Sequence, residues 1–267
     1  MSIRINEALR SGFRRTISRE ALGLIAVLLV FQTASTVIGQ SFNNQLFGQF
    51  IGSTEQVPAT SLGTVFGESQ PFVFDLPLAV LAFGLILTAF VAEALSILGV
   101  RMFARDTTAP VSRPVLRDGL VLATLNGVVG GTIAIVAASI GAVLLVVPGL
   151  FIATSLFFVR QEIAVERKNF IDALTGSWEL TRGVRLKTFG LVALLYIITL
   201  LAGSPAAVLF FLDPVVGTVL GVVGGSIGTV FGIAVATRAY VQLTEETTPP
   251  TDSDVGSEYS ERMSTVE

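Results

Sequence analysis

The sequence predicts an all-α fold, a polytopic membrane helical bundle with six spans and both termini in the cytoplasm. Hydrophobic residues make up 52% of the 267 residues and charged residues only 14%, whereas soluble domains contain about 25% charged residues. Lys and Arg are absent from residues 20–100, 118–159 and 188–237. Each of these gaps holds apolar runs long enough to cross about 30 Å of hydrocarbon.

The residue types that are missing exclude several classes of function. The chain contains no Cys and no His, which excludes disulfides, thiolate and imidazole metal sites, and serine–histidine catalysis. Its acidic residues are scattered over both predicted faces of the membrane, so no pair of carboxylates suggests hydrolytic chemistry or a metal site. The pI near 5.1 argues against nucleic acid as a partner. We therefore expect neither enzymatic activity nor a cofactor or metal.

The N-terminal segment, residues 1–19, predicts a basic amphipathic helix. Its arginines alternate with apolar residues: Arg4, Arg10, Arg14, Arg15 and Arg19 with Ile5, Leu9, Phe13 and Ile17. Such a helix lies at the surface of a leaflet that contains anionic lipids. A frayed, merely charged terminus is the alternative.

The membrane domain is predicted to extend over residues 20–243. Its six spans are predicted at 21–39, 76–99, 119–146, 150–165, 188–203 and 216–241. We expect the first span to be retained rather than removed as a signal peptide, because its apolar run continues to Ile38. The fourth span is the shortest and reaches only about 24 Å.

The connections between the spans predict three further features. Apolar residues at helical spacing within 42–51 indicate a short helix on the outer surface. Pro148-Gly149 predicts a tight turn before the fourth span. The tail, residues 244–267, is acidic and poor in apolar residues, which predicts disorder. The excess of Arg over Lys together with this tail is typical of a halophilic archaeon.

Basic residues alternate between the loops, which predicts the orientation. Five of them precede the first span, four lie in 101–117 and six lie in 160–187, whereas the loops 40–73, 147–149 and 204–215 contain none. Loops rich in Lys and Arg stay in the cytoplasm. Both termini are therefore predicted to be cytoplasmic, in a multi-pass protein of the cell membrane.

Glycine is the most regularly spaced residue in the third and sixth spans. The glycines concerned are Gly127 and Gly131 in the third span, and Gly217, Gly221, Gly225, Gly224, Gly228 and Gly232 in the sixth. Small residues four positions apart let two membrane helices approach closely, so we expect these spans to pack tightly against their neighbours. Residues 127–133 and 221–227 also resemble each other, which is a weak indication of an inverted repeat.

Glu93 is the most costly residue to place in a membrane. It lies eight positions before Arg101, or about 12 Å along a helix, and a carboxylate at such a depth costs at least about 2.5 kcal/mol unless it is compensated. Asn126, Arg160 and Arg238 are predicted at a similar depth in the inner half of the bilayer. The four residues predict an intramembrane polar cluster. It is either an ion pair that holds the bundle together, a cytoplasm-facing site for a lipid headgroup or anionic solute, or a proton-coupling site at Glu93.

A polar segment between the fourth and fifth spans predicts an interfacial helix at 170–182. One half of its helical wheel is apolar, with Phe170, Ile171, Ala173, Leu174, Trp178 and Leu180, and the other half carries Asp172, Thr175, Glu179 and Arg182. Asn169 is a suitable N-cap and Gly183 suits the C-terminal end. We expect the helix to lie along the cytoplasmic interface, with Trp178 facing either lipid or protein.

Three short runs together resemble a known membrane domain. They are Val147-Pro-Gly-Leu150, Ile163-Ala-Val-Glu166 and Ala173-Leu-Thr-Gly-Ser-Trp-Glu-Leu-Thr-Arg-Gly183. They resemble the membrane domain found beside glycerophosphoryl diester phosphodiesterases and related stand-alone membrane proteins of haloarchaea. The matching positions are Pro148, Gly149, Ala173, Leu174, Ser177, Trp178, Leu180, Thr181 and Gly183. In the two-domain relatives, catalysis belongs to a separate domain that needs His, so the resemblance implies no activity for this chain.

Two functions remain as hypotheses. The first is a membrane module without catalytic activity that interacts with lipid, including anionic headgroups, or with a membrane protein partner or a second copy of itself. The second is a small transporter or permease component with a polar site around Glu93.

Overall fold

The computed structural model describes residues 3–52, 70–105 and 118–247. This part of the chain is helical and contains no strand. In chain order its helices are α1 (Ile5–Thr16), α2 (Arg19–Gly52), α3 (Leu78–Phe103), α4 (Leu120–Leu144), α5 (Val146–Ser155), α6 (Val159–Val165), α7 (Phe170–Leu180), α8 (Arg185–Leu212) and α9 (Pro214–Thr247).

Six helical stretches are long and apolar enough to cross a membrane. They are Arg19–Leu46, Leu78–Phe103, Leu120–Leu144, Val146–Val165, Arg185–Leu212 and Pro214–Glu246. Each of the six predicted spans overlaps one of them. The prediction of an all-α, multi-pass membrane protein is thus confirmed at this level. The acidic tail and the loop 101–117 lie largely outside the described residues.

The first span and the predicted surface helix at 42–51 are one helix, α2, without a break between them. The polar side chains in its C-terminal half bond to the segment that leads into α3. Gln40 Oε1 accepts from the Phe72 N–H at 3.0 Å, Ser41 Oγ accepts from the Phe74 N–H at 2.9 Å, and Gln45 Nε2 donates to Asp75 at 2.7 Å. These hydrogen bonds satisfy the side chains of Gln40, Ser41 and Gln45. The helix α2 therefore continues through the part of its sequence that is polar.

The turn between α4 and α5 lies at Leu145, which is extended (φ −160°, ψ 139°), rather than at Pro148-Gly149 as predicted. Proline is tolerated there because the N–H groups of a first helical turn have no partner within the helix. Gly149 contacts α4 so closely that a Cβ would lie 2.5 Å from the Ala142 nitrogen. The two residues therefore pack one helix on the next instead of forming the turn.

The fourth span is interrupted at residues 156–158, between α5 and α6. The Phe158 N–H donates to Ser177 Oγ at 3.1 Å, and this hydroxyl donates in turn to the Ser155 carbonyl at 2.9 Å. A side chain of α7 thus satisfies the backbone at the interruption, and all three residues are buried.

Helix α1 packs on α9 through its smallest residues. Ala8, Gly12 and Thr16 are buried, whereas Phe13 and Ile17 point away from the bundle and are exposed. Predicted as amphipathic, α1 packs on the protein through these small residues and the partly buried Ile5 and Leu9, and it leaves Phe13, like Ile17 just after the helix, outside.

Candidate functional site

An ion pair joins α3 to α6 at the centre of the candidate site. The carboxylate of Glu93 accepts from Arg160 twice, from Nε at 2.9 Å and from Nη2 at 2.8 Å. The Glu93 side chain is 10% exposed and that of Arg160 is 44% exposed. This bidentate arrangement is the geometry in which arginine binds a carboxylate most strongly, and it compensates the charge of the buried partner.

Gly127 of α4 makes the room in which the Glu93 side chain lies. A Cβ at Gly127 would be 2.6 Å from Glu93 Oε1 and 2.8 Å from its Cγ, both shorter than any normal contact. Gly127 was predicted to let another helix backbone approach α4. It instead makes room for the carboxylate of Glu93.

A cavity of about 480 Å³ opens beside the ion pair. Its wall includes a row of small residues on α4 and two on α9: Gly127, Gly131, Ala134, Ala138, Gly232 and Ala236. The polar groups of the wall are Glu93, Ser96, Arg160, Gln161 and Thr229. The volume falls in the range of about 300–1,000 Å³ that is usual for small-molecule pockets. The site thus combines a mainly apolar wall with one charged, hydrogen-bonding region.

Gln161 is a polar residue of the cavity that the sequence analysis did not single out. The residue is 5% exposed, and its Oε1 is buried and has no hydrogen-bond partner among the residues that the structure describes. Placing an uncharged amide in a membrane costs less free energy than placing a carboxylate, so Gln161 does not stand out in the sequence as Glu93 does. The available signal was its position next to Arg160, in the same helical turn.

The other two members of the predicted cluster, Asn126 and Arg238, do not line the cavity. Asn126 donates to the Leu122 carbonyl at 3.0 Å and accepts from the Phe170 N–H at 3.3 Å, so it connects α4 to the start of α7. Arg238 is partly buried on α9, and it is not among the residues that line the cavity. The structure therefore brings Glu93 and Arg160 together and assigns Asn126 to the support of α7.

A second buried carboxylate lies near the site. Glu162 is 4% exposed and pairs with Lys168 at the end of the loop that precedes α7. Within residues 3–52, 70–105 and 118–247, no group of three or more acidic side chains could hold a metal ion.

The remaining glycines divide into close and open positions. A Cβ at Gly217 would overlap the backbone of Phe210, and one at Gly225 would lie 2.9 Å from Gln32 Oε1. The open positions, where a Cβ would meet no atom within 4 Å, are Gly131, Gly221, Gly224, Gly228 and Gly232. Among the described residues nothing packs closely against these five glycines. Gly131 and Gly232 border the cavity, and Gly221 and Gly224 are exposed.

Helix α7 packs on the bundle through its small residues. Ala173 and Ser177 are buried, and Asn169 caps the helix by accepting from the N–H groups of Ile171 and Asp172 at 2.9 and 3.0 Å. Phe170 and Leu174 are partly buried, whereas Ile171 is exposed and Arg182 follows the helix on its exposed side.

Trp178 contacts protein on one side only. Its ring meets Phe151 edge to face at 5.5 Å, and the Arg185 guanidinium lies 4.6 Å from the Trp178 ring and 4.5 Å from the Phe151 ring. Trp178 is nevertheless 40% exposed. The position of Trp178 is thus compatible with contact to lipid as well as to protein.

Gly127 provides a direct test of the site's geometry. We expect Gly127→Ala to destabilise the protein by about 1–3 kcal/mol, because an inserted methyl group must displace the Glu93 carboxylate from its position beside Arg160. Thermal unfolding in detergent measures the effect. Gly131→Ala is the matched control, one turn further along α4 with open space at its Cβ, and it should leave stability unchanged or raise it slightly. Equal melting temperatures for the two variants would contradict this role of Gly127.

Comparison with known proteins identifies a family without a known function. The model of the family described as Domain of unknown function (DUF7847) matches residues 3–243. No curated protein and no solved structure gives a significant match. The matched region includes all the residues of the ion pair and the cavity.

Proposed function

This chain belongs to the family described as Domain of unknown function (DUF7847), and we propose that it is a membrane module without catalytic activity of its own that binds a lipid. The lipid lies in the cavity beside Glu93 and Arg160. Its chain contacts the small residues of α4 and α9, and its headgroup meets the polar region of the wall.

The cavity itself is the observation that supports this proposal. Small residues that border open space, such as Gly131 and Gly232, leave a groove into which an acyl or isoprenoid chain fits. The charged groups of the described wall are those of the ion pair, and the other polar residues that line it are Ser96, Gln161 and Thr229. A ligand that matches this distribution is amphipathic, with a long apolar part and a small polar end.

The charge distribution supports a cytoplasmic position for both termini. The basic loops alternate with loops that lack Lys and Arg, as the positive-inside rule requires. The exposed Phe13 and Ile17 of α1, and the exposed Ile171 and Trp178 of α7, are suited to contact with the cytoplasmic leaflet of the cell membrane. The exposed Arg10 and Arg14 of α1 would then face anionic headgroups, whereas Arg15 donates to the backbone carbonyls of Phe103 and Arg105.

The resemblance to the membrane domain that accompanies glycerophosphoryl diester phosphodiesterases supports the same role. The segment from Val147 to Gly183 that carries it forms α5, α6 and α7, and these helices supply Arg160 and Gln161 to the cavity. A membrane module that holds a lipid is a natural neighbour of lipid-derived chemistry, without carrying that chemistry itself.

Native mass spectrometry of the gently purified protein tests the proposal. We expect the wild type to retain a lipid, and Gly131→Leu to lose at least about nine-tenths of it, because the leucine side chain occupies the cavity. Gly221→Leu is the matched control, since Gly221 is exposed on α9 and does not line the cavity. The same amount of bound lipid in both variants would refute a lipid site in this cavity.

Transport of a small solute is the second candidate, because the ion pair connects two different helices on the wall of the cavity. A flux into proteoliposomes that requires Glu93, and that Glu93→Gln abolishes in a folded protein, would favour transport. Retention of lipid without any flux would favour the module.

A further inference from the structure

The guanidinium of Arg185 lies against two aromatic rings and has no anionic partner among the described residues. Its Cζ is 4.5 Å from the centre of the Phe151 ring and 4.6 Å from that of the Trp178 ring. Contact with a ring face stabilises the planar guanidinium and fixes its direction. It leaves the N–H groups without acceptors, and within the described chain no carboxylate or carbonyl accepts from them.

The terminal nitrogens of Arg185 are accessible, whereas Nε is not. Nε is the one nitrogen of this guanidinium that is both buried and without a partner. Since Nη1 and Nη2 also lack partners in the part of the chain that the structure describes, they retain contact with the surroundings. They carry all the N–H groups of the guanidinium except one. These groups can therefore donate to a ligand that approaches from outside the bundle.

The surface around the guanidinium is apolar. Leu150, Phe151, Trp178 and Leu186, the residue that follows Arg185, are all exposed. Large apolar side chains on the outside of a membrane bundle mark surface that contacts lipid. A charge at such a surface is costly unless it is paired or hydrated. A ligand that both pairs with the charge and covers the apolar side chains is amphipathic.

The local charge is positive and favours an anion. Residues 180–190 include Arg182, Arg185 and Lys187 but no Asp or Glu. Arg185 is also the first residue of α8, whose first turn has no acidic residue and no side-chain cap. The N-terminal end of a helix carries a partial positive charge, which disfavours a cation and favours an anion. An anionic ligand would compensate both the guanidinium and the end of the helix.

We propose that Arg185 binds the phosphate of an anionic glycerophospholipid at the outer surface of the bundle. The phosphate oxygens accept from Nη1 and Nη2 of Arg185, and the acyl chains lie over the exposed apolar side chains. Neither Phe151, Trp178 nor Arg185 lines the cavity beside Glu93. This second lipid site therefore does not depend on a lipid in that cavity. A zwitterionic lipid is a poorer ligand, because the guanidinium repels its choline group.

The fluorescence of Trp178, which is exposed and is the single tryptophan, reports which lipid lies beside Arg185. The full-length wild type is reconstituted in vesicles of a phosphatidylcholine with brominated acyl chains, which quench an exposed tryptophan on contact. Unbrominated dioleoyl phosphatidylglycerol then replaces part of this lipid, with unbrominated dioleoyl phosphatidylcholine in a parallel series. We expect phosphatidylglycerol to restore the fluorescence at about a tenfold lower mole fraction, because it carries the net negative charge that phosphatidylcholine lacks.

Substitution of Arg185 identifies the group that binds the phosphate. Arg185→Gln should abolish the preference, so that the two lipids restore the fluorescence equally. Arg19→Gln is the matched control, because Arg19 is likewise the first residue of a long helix, α2, and is exposed without a ring contact among the described residues. It removes the same charge and should retain the preference. An equal effect of the two substitutions would assign the preference to overall charge and overturn the site.

The wild type alone also decides the inference, so poor folding of Arg185→Gln would not leave it undecided. Equal restoration by the two lipids would refute the site. The preference should persist when inorganic phosphate replaces chloride at the same ionic strength, and its loss there would show that Arg185 binds free phosphate instead of a lipid. Gly131→Leu should leave the preference unchanged, since it fills the cavity. Failure of the cavity proposal and failure of this inference are therefore distinguishable.

Discussion

We expect Arg160→Ala to lower the free energy of unfolding by about 3 kcal/mol. Removing one partner of a buried ion pair costs about 3–5 kcal/mol, because the remaining charge is buried without compensation. The lower end applies here, since Arg160 is 44% exposed. The remaining Glu93 carboxylate would lie buried against Gly127 of α4 without its bidentate partner.

Thermal or denaturant unfolding in detergent measures this effect, with the fluorescence of Trp178, the single tryptophan of the chain, as the signal. Arg4→Ala is the control, because Arg4 forms an exposed pair with Glu7 and should change stability by less than about 1 kcal/mol. Similar effects of the two substitutions would contradict a stabilising role for the pair.

The two residues of the ion pair should differ in how much stability their substitution costs. Glu93→Gln leaves a guanidinium that is half exposed and can reach polar surroundings, so we expect a smaller loss of stability than for Arg160→Ala. Replacing both residues with methionine should recover most of the stability, because an apolar pair of similar volume has no uncompensated charge. This recovery would assign the loss in Arg160→Ala to the buried carboxylate rather than to missing packing.

The sequence predicts a similar depth in the membrane for the four polar residues, but it does not predict their direction around each helix. Counting from the basic loops placed Glu93, Asn126, Arg160 and Arg238 at a similar level. Whether two such residues meet depends on the rotation of each helix, which tertiary packing sets. Glu93 and Arg160 meet, whereas Asn126 faces the start of α7.

The six spans were predictable because their length and hydropathy follow from the thickness of the bilayer. The interruption at residues 156–158 was not, since the local sequence Leu-Phe-Phe is apolar and carries no proline or glycine. It depends on a hydrogen bond from the Phe158 N–H to Ser177, which is 19 positions away in the chain. Contacts of this kind leave no periodic signal in the sequence.

The glycine spacing in the sequence indicated a face of α9 that is nearly free of side chains. Only the contacts in the structure show at which positions a larger residue would not fit. Gly217 is buried in the first turn of α9, and a Cβ there would overlap both the nitrogen and the Cα of Phe210 at the end of α8. Asp213 Oδ1 accepts from the N–H groups of Val215 and Val216 at 2.9 and 3.1 Å, which holds this turn in place. Neither side of the contact is a flexible side chain that could move aside.

We therefore expect Gly217→Ala to destabilise the protein by about 2–3 kcal/mol, because the α8–α9 hairpin must open to admit the methyl group. Gly221→Ala is the matched control, one turn further along the same row, where a Cβ meets no atom within 4 Å. Alanine is the better helix former by up to about 1 kcal/mol, so this control should keep or raise the melting temperature. If both variants lost stability equally, the glycine row would act through its spacing as a whole, and the close contact with Phe210 would not explain why residue 217 is glycine.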